Sequence, residues 1–327
     1  MNIAVDYYGG DHAPKVVMEG IKLALKEFDI KITIVGKKDE VEKNIIKYSI
    51  PLDKIEIEDA PIAFPMGEHA SKILKEKESS IFVGNKIVKA GKAEAFVSAG
   101  NSGACMAASI FGMGRIRGVK RPGIATPIPS EKGTTVLIDS GANADCKAEY
   151  LVDFAKMGKA YAETYFNIEN PKVGLLSVGE EDEKGSQFSL ESFQLLKENV
   201  ENFIGNVEGR DLTSGKVDVV VTDGFTGNIA LKTLEGVAKM FFSALKSSIK
   251  ANPLTLIGGA LLKSSLARTF KRFDYRTYGG AFLLGVKGVS IISHGSSDKT
   301  AIYNAIRMAK LGVEGNLVEK IESYYKS

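Results

Sequence analysis

The strongest constraint on the fold is a repeated order of elements: short β-branched runs end at glycine-containing turns and are followed by helical patterns. Such an order predicts βα units and a mostly parallel sheet. The candidate strands are Asn2–Asp6, Lys31–Val35, Ile55–Glu58, Ala95–Ser98, Thr134–Asp139, Val173–Ser177, Val217–Thr222 and Val289–Ser293. We therefore predict a single large α/β domain over residues 1–327, built on a mostly parallel doubly wound sheet.

Five of the turns that follow these strands combine glycine with aspartate, asparagine or serine. They read DYYGGDHAP, SAGNSGA, DSGANADCK, SVGEEDEKGS and TDGFTGN. Ligands bind at the carboxyl ends of strands in open α/β sheets, and helix N-termini offer free N–H groups to anions. One such turn is usually only a turn, but five together predict a shared anion-binding crevice.

Composition excludes several classes of protein. A net charge of +3 is too small to indicate nucleic-acid binding. The two cysteines, Cys105 and Cys146, form no disulfide framework and no metal-ligand spacing, so we expect a reducing compartment, no cofactor and no metal. We interpret Cys105 as a core residue and expect no nucleophilic role for Cys146. The start of the chain does not read as a signal peptide, and no apolar run approaches the ~20 residues of a membrane span.

The common nucleotide and hydrolase motifs are missing. There is no P-loop, H-E-x-x-H, C-x-x-C or G-x-S-x-G, and GMGRIRG at 112–118 lacks the third glycine of a dinucleotide fingerprint. No histidine is paired in sequence with a nucleophile. This absence favours a reaction in which one of the substrates supplies the nucleophile.

Several strings together resemble the bacterial phosphate acyltransferases, also called acyl-ACP:phosphate transacylases (the PlsX family). They are GGDHAP, SAGNSGA, DSGANADCKAE, EKGS, NFIGNVEGRD, VDVVVTDGFTGN, YGGAFLLGVKG and HGSS, and they follow the family's order along almost the whole chain. Tyr7 and Tyr8 depart from the family's Ala-Met, and Ser186 and Ser140 stand where the family often has Asn and Val.

The resemblance implies transfer of a fatty acyl group from acyl carrier protein to inorganic phosphate. The acyl phosphate would feed the first acylation of glycerol 3-phosphate in phospholipid synthesis, which makes the membrane glycerol-3-phosphate acyltransferase a further expected partner. The resemblance also implies a fold similar to isocitrate and isopropylmalate dehydrogenases and to phosphotransacetylases. A cytoplasmic homodimer, associated peripherally with the inner face of the cell membrane, is expected.

The site residues follow from the chemistry of the implied reaction. A thioester is already activated, so we predict direct attack by phosphate with no covalent enzyme intermediate, and the enzyme must position the reactants and stabilise an oxyanion. We assign phosphate binding to Gly9, Gly10, Asp11, Asn101, Ser102 and Gly103, with Gly141 and Asn143 nearby. The candidate catalytic residues are Lys184 as a mobile positive charge, Asp223 as an orienting carboxylate, Asn228 as an amide donor, and His12.

Each catalytic assignment has a simpler alternative. Lys184 follows four acidic residues, so it is also explained as a solvated lysine that balances an acidic loop. Asp223 is also explained as a helix cap, and His12 as an ordinary residue near a helix start.

A basic segment stands out between residues 246 and 276, where seven Lys and Arg residues meet one Asp. Its apolar residues share one helical face, which predicts a protruding basic amphipathic helical segment that contacts the membrane or the acidic carrier protein. An ordinary core-facing helix is the alternative. The predicted contact residues are Leu262, Lys263, Leu266, Arg268, Phe270, Lys271 and Arg272.

Three other functions remain open at this point. A phosphotransacetylase-type enzyme would use acyl-CoA in the same chemistry. A metal-dependent dehydrogenase on the related fold would need clustered aspartates and a dinucleotide site. A non-catalytic adaptor would bind the carrier protein or the membrane without turnover.

Overall fold

The structure is a computed structural model that describes residues 1–273 and 277–326, and its account of side chains omits residues 267–273. Within this part of the chain the strands form one sheet. They are β1 (Asn2–Asp6), β2 (Lys31–Gly36), β3 (Ile55–Asp59), β4 (Ala95–Ser98), β5 (Gly123–Ser130), β6 (Gly133–Ile138), β7 (Val173–Leu176), β8 (Phe203–Val207), β9 (Val219–Val221), β10 (Ala281–Leu284) and β11 (Val289–Ile292).

Helices follow most of the strands, as the alternation of patterns predicts. They are α1 (Lys15–Glu27), α2 (Lys38–Tyr48), α3 (Ser80–Lys89), α4 (Ser102–Ala108), α5 (Ala148–Phe166), α6 (Gln187–Asn199), α7 (Asp211–Ser214), α8 (Gly224–Ile249), α9 (Pro253–Phe273), α10 (Lys299–Glu314) and α11 (Leu317–Ser323). A π-helical segment, Ser109–Met113, continues α4. Short 3₁₀ turns occupy Leu52–Lys54 and Ala70–Leu74.

The strand order across the sheet is β3-β2-β1-β4-β11-β10-β5-β6-β9-β7-β8. Pairing is parallel except where β10 meets β11, where β10 meets β5 and where β5 meets β6. The prediction of a mostly parallel α/β sheet is therefore confirmed. Because these three pairings in the middle of the sheet are antiparallel, β6, β9, β7 and β8 run opposite to β1, β4 and β11.

Three strands escaped the sequence analysis, and β5 shows why. It contains Pro127 and Pro129, which normally argue against a sheet interior. β10 pairs only with residues 123–125 of β5, whereas β6 pairs with residues 125–130. Both prolines therefore lie where β5 has a neighbour on one side only, and a missing N–H is tolerated there.

The core is built from the apolar faces of the helices against both faces of the sheet. On α1, Val17, Met18 and Ile21 are almost fully buried. On the opposite half, Leu151, Phe154 and Ala155 of α5 are fully buried. On each helix these residues recur at three- and four-residue spacing, so they lie on one face. Cys105 is also fully buried, which agrees with its interpretation as a core residue.

Helices α8 and α9 form a hairpin in which most side chains are exposed, and we call it the exposed hairpin (residues 224–266). Gly259 lies so close to α8 that an added β-carbon would meet the Ile249 side chain at 2.4 Å. The exposed apolar side chains of α9 include Leu254 at 82%, Ile257 at 60% and Leu261 at 80%.

The helix predicted around residue 262 is present, with Leu262 57% exposed and Leu266 partly buried. The side chains of Arg268, Phe270, Lys271 and Arg272, and residues 274–276, lie outside the described residues. In the described part of the chain no helix has both the length and the apolar character that crossing a bilayer requires.

Candidate active site

Three turns meet at the carboxyl ends of β1, β4 and β11, and we call them the first turn cluster (residues 9–12, 99–103 and 294–297). The Asp11 amide donates to the Gly295 carbonyl at 2.8 Å, which joins the first turn to the third. Gly9 packs so tightly on the second turn that an added β-carbon would lie 2.7 Å from the Ala99 nitrogen. Only glycine fits at this contact, so the backbone of the two turns approaches closely.

The buried carboxylate of Asp6 fixes the first turn cluster from below. It accepts hydrogen bonds from the Tyr8 amide at 3.1 Å and the Ser98 hydroxyl at 2.6 Å. The Ser98 oxygen in turn accepts from the Gly100 amide at 2.9 Å. Burial raises the pKa of the Asp6 carboxyl above its ordinary value. Asp6 therefore links two glycine turns that are far apart in sequence.

The first turn cluster retains N–H groups that no described residue accepts. They are the amides of Gly9, Gly10, Ser102 and Gly103, of which the last two open the first turn of α4. The first N–H groups of a helix have no partner within it and carry its positive dipole end. The Asn101 side chain is already committed, because it caps Ala104 and donates to the carbonyls of Met66 and Glu68. Of the phosphate-binding residues predicted here, the backbone of the glycines and of Ser102 is best placed.

A second group of turns lies at the ends of β6 and β9, and we call it the second turn cluster (residues 139–143 and 223–228). The Asp139 carboxylate, fully buried, accepts from the amides of Ile124, Gly141, Ala142 and Asn143 and from the Asn143 side chain, over 2.7–3.1 Å. Burial raises the pKa of the Asp139 carboxyl, against these N–H groups that favour its ionised form.

This arrangement bears directly on the phosphate assignment of Gly141 and Asn143. Their amides donate to the Asp139 carboxylate rather than into an open space. The acceptor is Asp139, the first residue of the same turn, and an aspartate often accepts from the backbone N–H groups that follow it. In this structure the two residues are therefore wall residues of the second turn cluster, and their backbone N–H groups are not available to an anion.

The start of α8 sits directly on the Asp139 turn, which explains the two glycines in TDGFTGN. A β-carbon on Gly227 would lie 1.9 Å from the Asp139 carbonyl oxygen, and one on Gly224 would lie 2.6 Å from the Asn143 carbonyl oxygen. Asp223 caps the helix by accepting from the Thr226 amide at 2.8 Å and from its hydroxyl at 2.7 Å. In the structure Asp223 is therefore a helix cap, which was the alternative to its predicted catalytic role.

The second half of the molecule also contains Asn228 and a loop of residues 177–186, which we call the Lys184 loop. Asn228 is exposed, and its side chain would be 3.7 Å from a β-carbon on Gly141. Lys184 is exposed and forms no ion pair with a described residue. Two of the acids before it have other cations: Glu180 contacts Lys216 and Arg210, and Asp182 contacts Lys197. Lys184 is therefore not the counter-ion of those two carboxylates.

The remaining candidates are placed as follows. His12 is exposed beside the first turn cluster, and its carbonyl accepts from the Val16 amide at 3.4 Å near the start of α1. Cys146 is partly buried, and burial raises the pKa of its thiol to about 11, which disfavours the thiolate. The HGSS turn, residues 294–297, was not predicted as part of the site and contributed only to the family resemblance. The available signal was the candidate strand that ends at Ser293, directly before this turn.

The two clusters belong to strands that run in opposite directions. The antiparallel strands β10 and β5 reverse the second half of the sheet, so the five turns do not all follow strands of one direction. Each turn does follow the carboxyl end of a strand, as predicted. Four of the five turns belong to the two clusters, and the fifth is the Lys184 loop. A crevice shared by all five stays a prediction.

Comparison with known proteins gives a consistent family. A model of the "fatty acid synthesis protein" family matches residues 1–320. A phosphate acyltransferase of Halothermothrix orenii is 48% identical over 326 residues, covering 98% of both chains. One from Desulfitobacterium hafniense strain Y51 is 46% identical over 324 residues, covering 98% of this chain and 96% of its own.

Solved structures resemble the chain in fold. A phosphotransacetylase from Streptococcus pyogenes superposes with a TM-score of 0.61 at 17% identity, covering 100% of this chain and 94% of its own. A 4-hydroxythreonine-4-phosphate dehydrogenase from Klebsiella pneumoniae gives 0.55 at 11% identity, covering 94% and 98%. At such low identity these likenesses establish the fold alone, and the first is the phosphotransacetylase fold that the sequence resemblance implied.

Proposed function

This chain belongs to the fatty acid synthesis protein family of phosphate acyltransferases, and on that basis we propose that it transfers a fatty acyl group from the thioester of acyl carrier protein to inorganic phosphate. It is an acyltransferase, and acyl transfer to phosphate is the family's reaction. The thioester donor, the residues that act and the place of the product in phospholipid synthesis are the finer parts of the proposal.

The observation that carries the phosphate part is the set of unfilled N–H groups in the first turn cluster. Gly9, Gly10, Ser102 and Gly103 present these groups at two glycine turns held together by Asp6. Phosphate is a small dianion that helix N-termini and successive amides bind well. Asp11 and His12 border these amides, and His12 is the candidate to accept the proton of bound phosphate.

The second turn cluster is assigned to the thioester. Asn228 supplies a neutral amide N–H and Lys184 a mobile charge for the oxyanion that forms when phosphate oxygen attacks the carbonyl carbon. The new C–O bond forms as the C–S bond breaks, and the proton that the attacking phosphate loses balances the one that the leaving thiolate takes up. Asp223 keeps Asn228 in place by capping the helix that carries it.

Sheet twist supports a common crevice for the two clusters. Strand β9 runs opposite to β1, but the two are six steps apart in the sheet. Neighbouring strands are rotated by about 20–25°, so six steps rotate the strand direction by roughly 120–150°. This rotation offsets most of the 180° difference between antiparallel strands. A twist of that size would turn the carboxyl ends of both halves to similar sides, with the antiparallel strands between them.

The proposed reaction predicts phosphate-dependent release of free thiol from acyl carrier protein. With purified protein and a long-chain acyl thioester of the carrier protein, thiol should appear only when phosphate is present, together with one equivalent of acyl phosphate trapped by hydroxylamine. The same assay with acyl-CoA separates the proposal from the phosphotransacetylase alternative. Faster turnover of acyl-CoA than of the carrier-protein thioester would reject the proposed donor, and no turnover of either would favour a non-catalytic adaptor.

We further propose that the protein is a cytoplasmic homodimer that lies on the inner face of the membrane, with the exposed hairpin as its contact surface. Leu254, Ile257 and Leu261 recur at helical spacing on one side of α9 and are each at least 60% exposed. Val237, Met240 and Phe241 form a similar exposed face on α8. The first face lies in the basic segment of residues 246–276, which suits anionic lipid, and we assign the second face to a second copy of the chain. An enzyme there would deliver acyl phosphate to a membrane glycerol-3-phosphate acyltransferase.

Replacing Leu254 and Leu261 together with serine is expected to abolish flotation of the protein with anionic phospholipid vesicles, because both apolar side chains are lost from the contact face. Activity on the soluble thioester should remain. The control is Leu52→Ser, which removes a leucine 72% exposed at the start of a distant 3₁₀ turn. Equal flotation of the double variant and the control would contradict the lipid contact.

A further inference from the structure

The string NFIGNVEGRD lies outside the two turn clusters, and the proposed chemistry gives it no task. Its first part forms β8, which is parallel to β7 at the far end of the sheet. The Ser177 amide donates to the Val207 carbonyl at 2.8 Å, so the end of β8 is hydrogen-bonded to the start of the Lys184 loop. The motif is therefore built against the loop that carries the proposed catalytic lysine.

Asn206 makes the closest connection to that loop. It is 4% exposed, and its side-chain Nδ2 donates to the Glu181 carbonyl at 2.7 Å. The same carbonyl accepts the backbone amide of Lys184 at 3.0 Å. One carbonyl oxygen thus joins the side chain of Asn206 to the main chain of Lys184.

The Asn206 amide has no second attachment that would explain its burial. Its Oδ1 is buried and finds no hydrogen-bond partner among the described residues. An unpaired buried amide oxygen costs free energy. The side-chain hydrogen bond that Asn206 does make with a described residue is the one to the Glu181 carbonyl.

A second contact fixes the loop on its other side. The Glu180 carboxylate contacts Lys216 at 2.9 Å and Arg210 at 3.7 Å. Arg210 is held in turn by Glu208 at 2.8 Å, within the same motif. Lys216 lowers the pKa of the Glu180 carboxyl, with Arg210 adding a smaller effect, so the loop side of the contact stays charged at neutral pH. The Ser177 hydroxyl closes the loop by donating to the Lys184 carbonyl at 3.2 Å.

We propose that Asn206 is a positioning residue for Lys184, and that Arg210 and Lys216 assist it by fixing Glu180. The inference rests on the proposed catalytic role of Lys184. Exposed loops with few apolar contacts open easily, and a displacement of about 1 Å at a catalytic group costs up to a hundredfold in rate. The motif thus acts on the reaction through the geometry of one loop, without touching either substrate.

A double-mutant cycle on kcat tests this role. Asn206→Ala is expected to lower kcat about ten- to a hundredfold, with little change in the KM for phosphate, because the lysine remains but is misplaced. In a Lys184→Ala background the same substitution should cost less than about threefold, since there is no longer a lysine to position. Asn199→Ala is the matched control, because its Nδ2 makes a similar bond to the Leu195 carbonyl on α6.

The outcomes distinguish a failure of the catalytic role of Lys184 from a failure of the positioning role of Asn206. Full activity of Lys184→Ala would remove the lysine from the mechanism and the positioning role with it. A slow Lys184→Ala with a normal Asn206→Ala would overturn the positioning role alone, as would an Asn206 effect that persists in both backgrounds. Should Asn206→Ala fail to fold, the exposed Glu180→Gln, which loses the charge held by Lys216, must lower kcat at least threefold, and a normal rate would overturn the inference.

Discussion

Replacing Lys184 with alanine is expected to lower kcat for acyl transfer to phosphate about 100- to 1,000-fold. A donor that stabilises the oxyanion of a tetrahedral intermediate is worth about 2.7–4 kcal/mol in related reactions. Lys184 is exposed, forms no ion pair with a described residue, and follows acids of which Glu180 and Asp182 have other cations. Its charge is therefore available to the substrates.

The measurement is initial-rate kinetics at saturating and at subsaturating phosphate. Lys172→Ala is the control, because Lys172 is exposed at the opposite end of β7, the strand that leads into the Lys184 loop. Its rate should equal that of the parent protein. Near-normal turnover of Lys184→Ala at subsaturating phosphate would leave the lysine as a solvated residue of an acidic loop.

Replacing Asp139 with alanine is expected to lower the free energy of unfolding by about 3 kcal/mol or more. The carboxylate accepts five N–H donors at 0% exposure, and no other described group stands ready to replace it. Total stability of a domain is only about 5–15 kcal/mol, so the loss is severe. The rate should fall as well, because Asn143 no longer supports the start of α8 through its carbonyl bond to the Gly224 amide, 2.7 Å long.

Denaturant unfolding followed by circular dichroism measures this loss. Asp139→Asn should be less damaging than the alanine variant, since one side-chain oxygen still accepts. The control is Asp145→Ala, which removes an exposed carboxylate from the same stretch and should change stability by no more than about 0.5 kcal/mol. A loss below about 1 kcal/mol for Asp139→Ala would show that water replaces the carboxylate in this turn.

Local sequence patterns predicted the elements well because they depend on neighbours along the chain. The eight candidate strands all correspond to strands of the sheet. β10 was missed because AFLL is short and apolar and suits a helix as well as a strand. β8 was missed because FIGNV is interrupted by Gly205, which weakens the strand pattern.

The candidate site was predicted in part, because the composition of a turn is also a local property of the sequence. The glycine turns at Gly9 and at Asn101–Gly103 were recognised by their composition, and they meet in the first turn cluster. The acceptors that already fill the amides of Gly141 and Asn143 went unrecognised. The acceptor is local, because Asp139 lies two residues before Gly141 and four before Asn143, and aspartate commonly bonds to the amides that follow it. DSGANAD therefore carried the signal, but we interpreted the turn as an anion site.

The sequence by itself determined the family, the βα alternation and the glycine-rich strand ends, because propensity, periodicity and motif order are local properties of the chain. Only the tertiary structure decided how the turns are grouped and that Asn206 reaches the Lys184 loop. Strand direction across β10 and β5, and the bond from Asn206 to the Glu181 carbonyl, depend on pairings between residues far apart in the chain, and no local pattern records them.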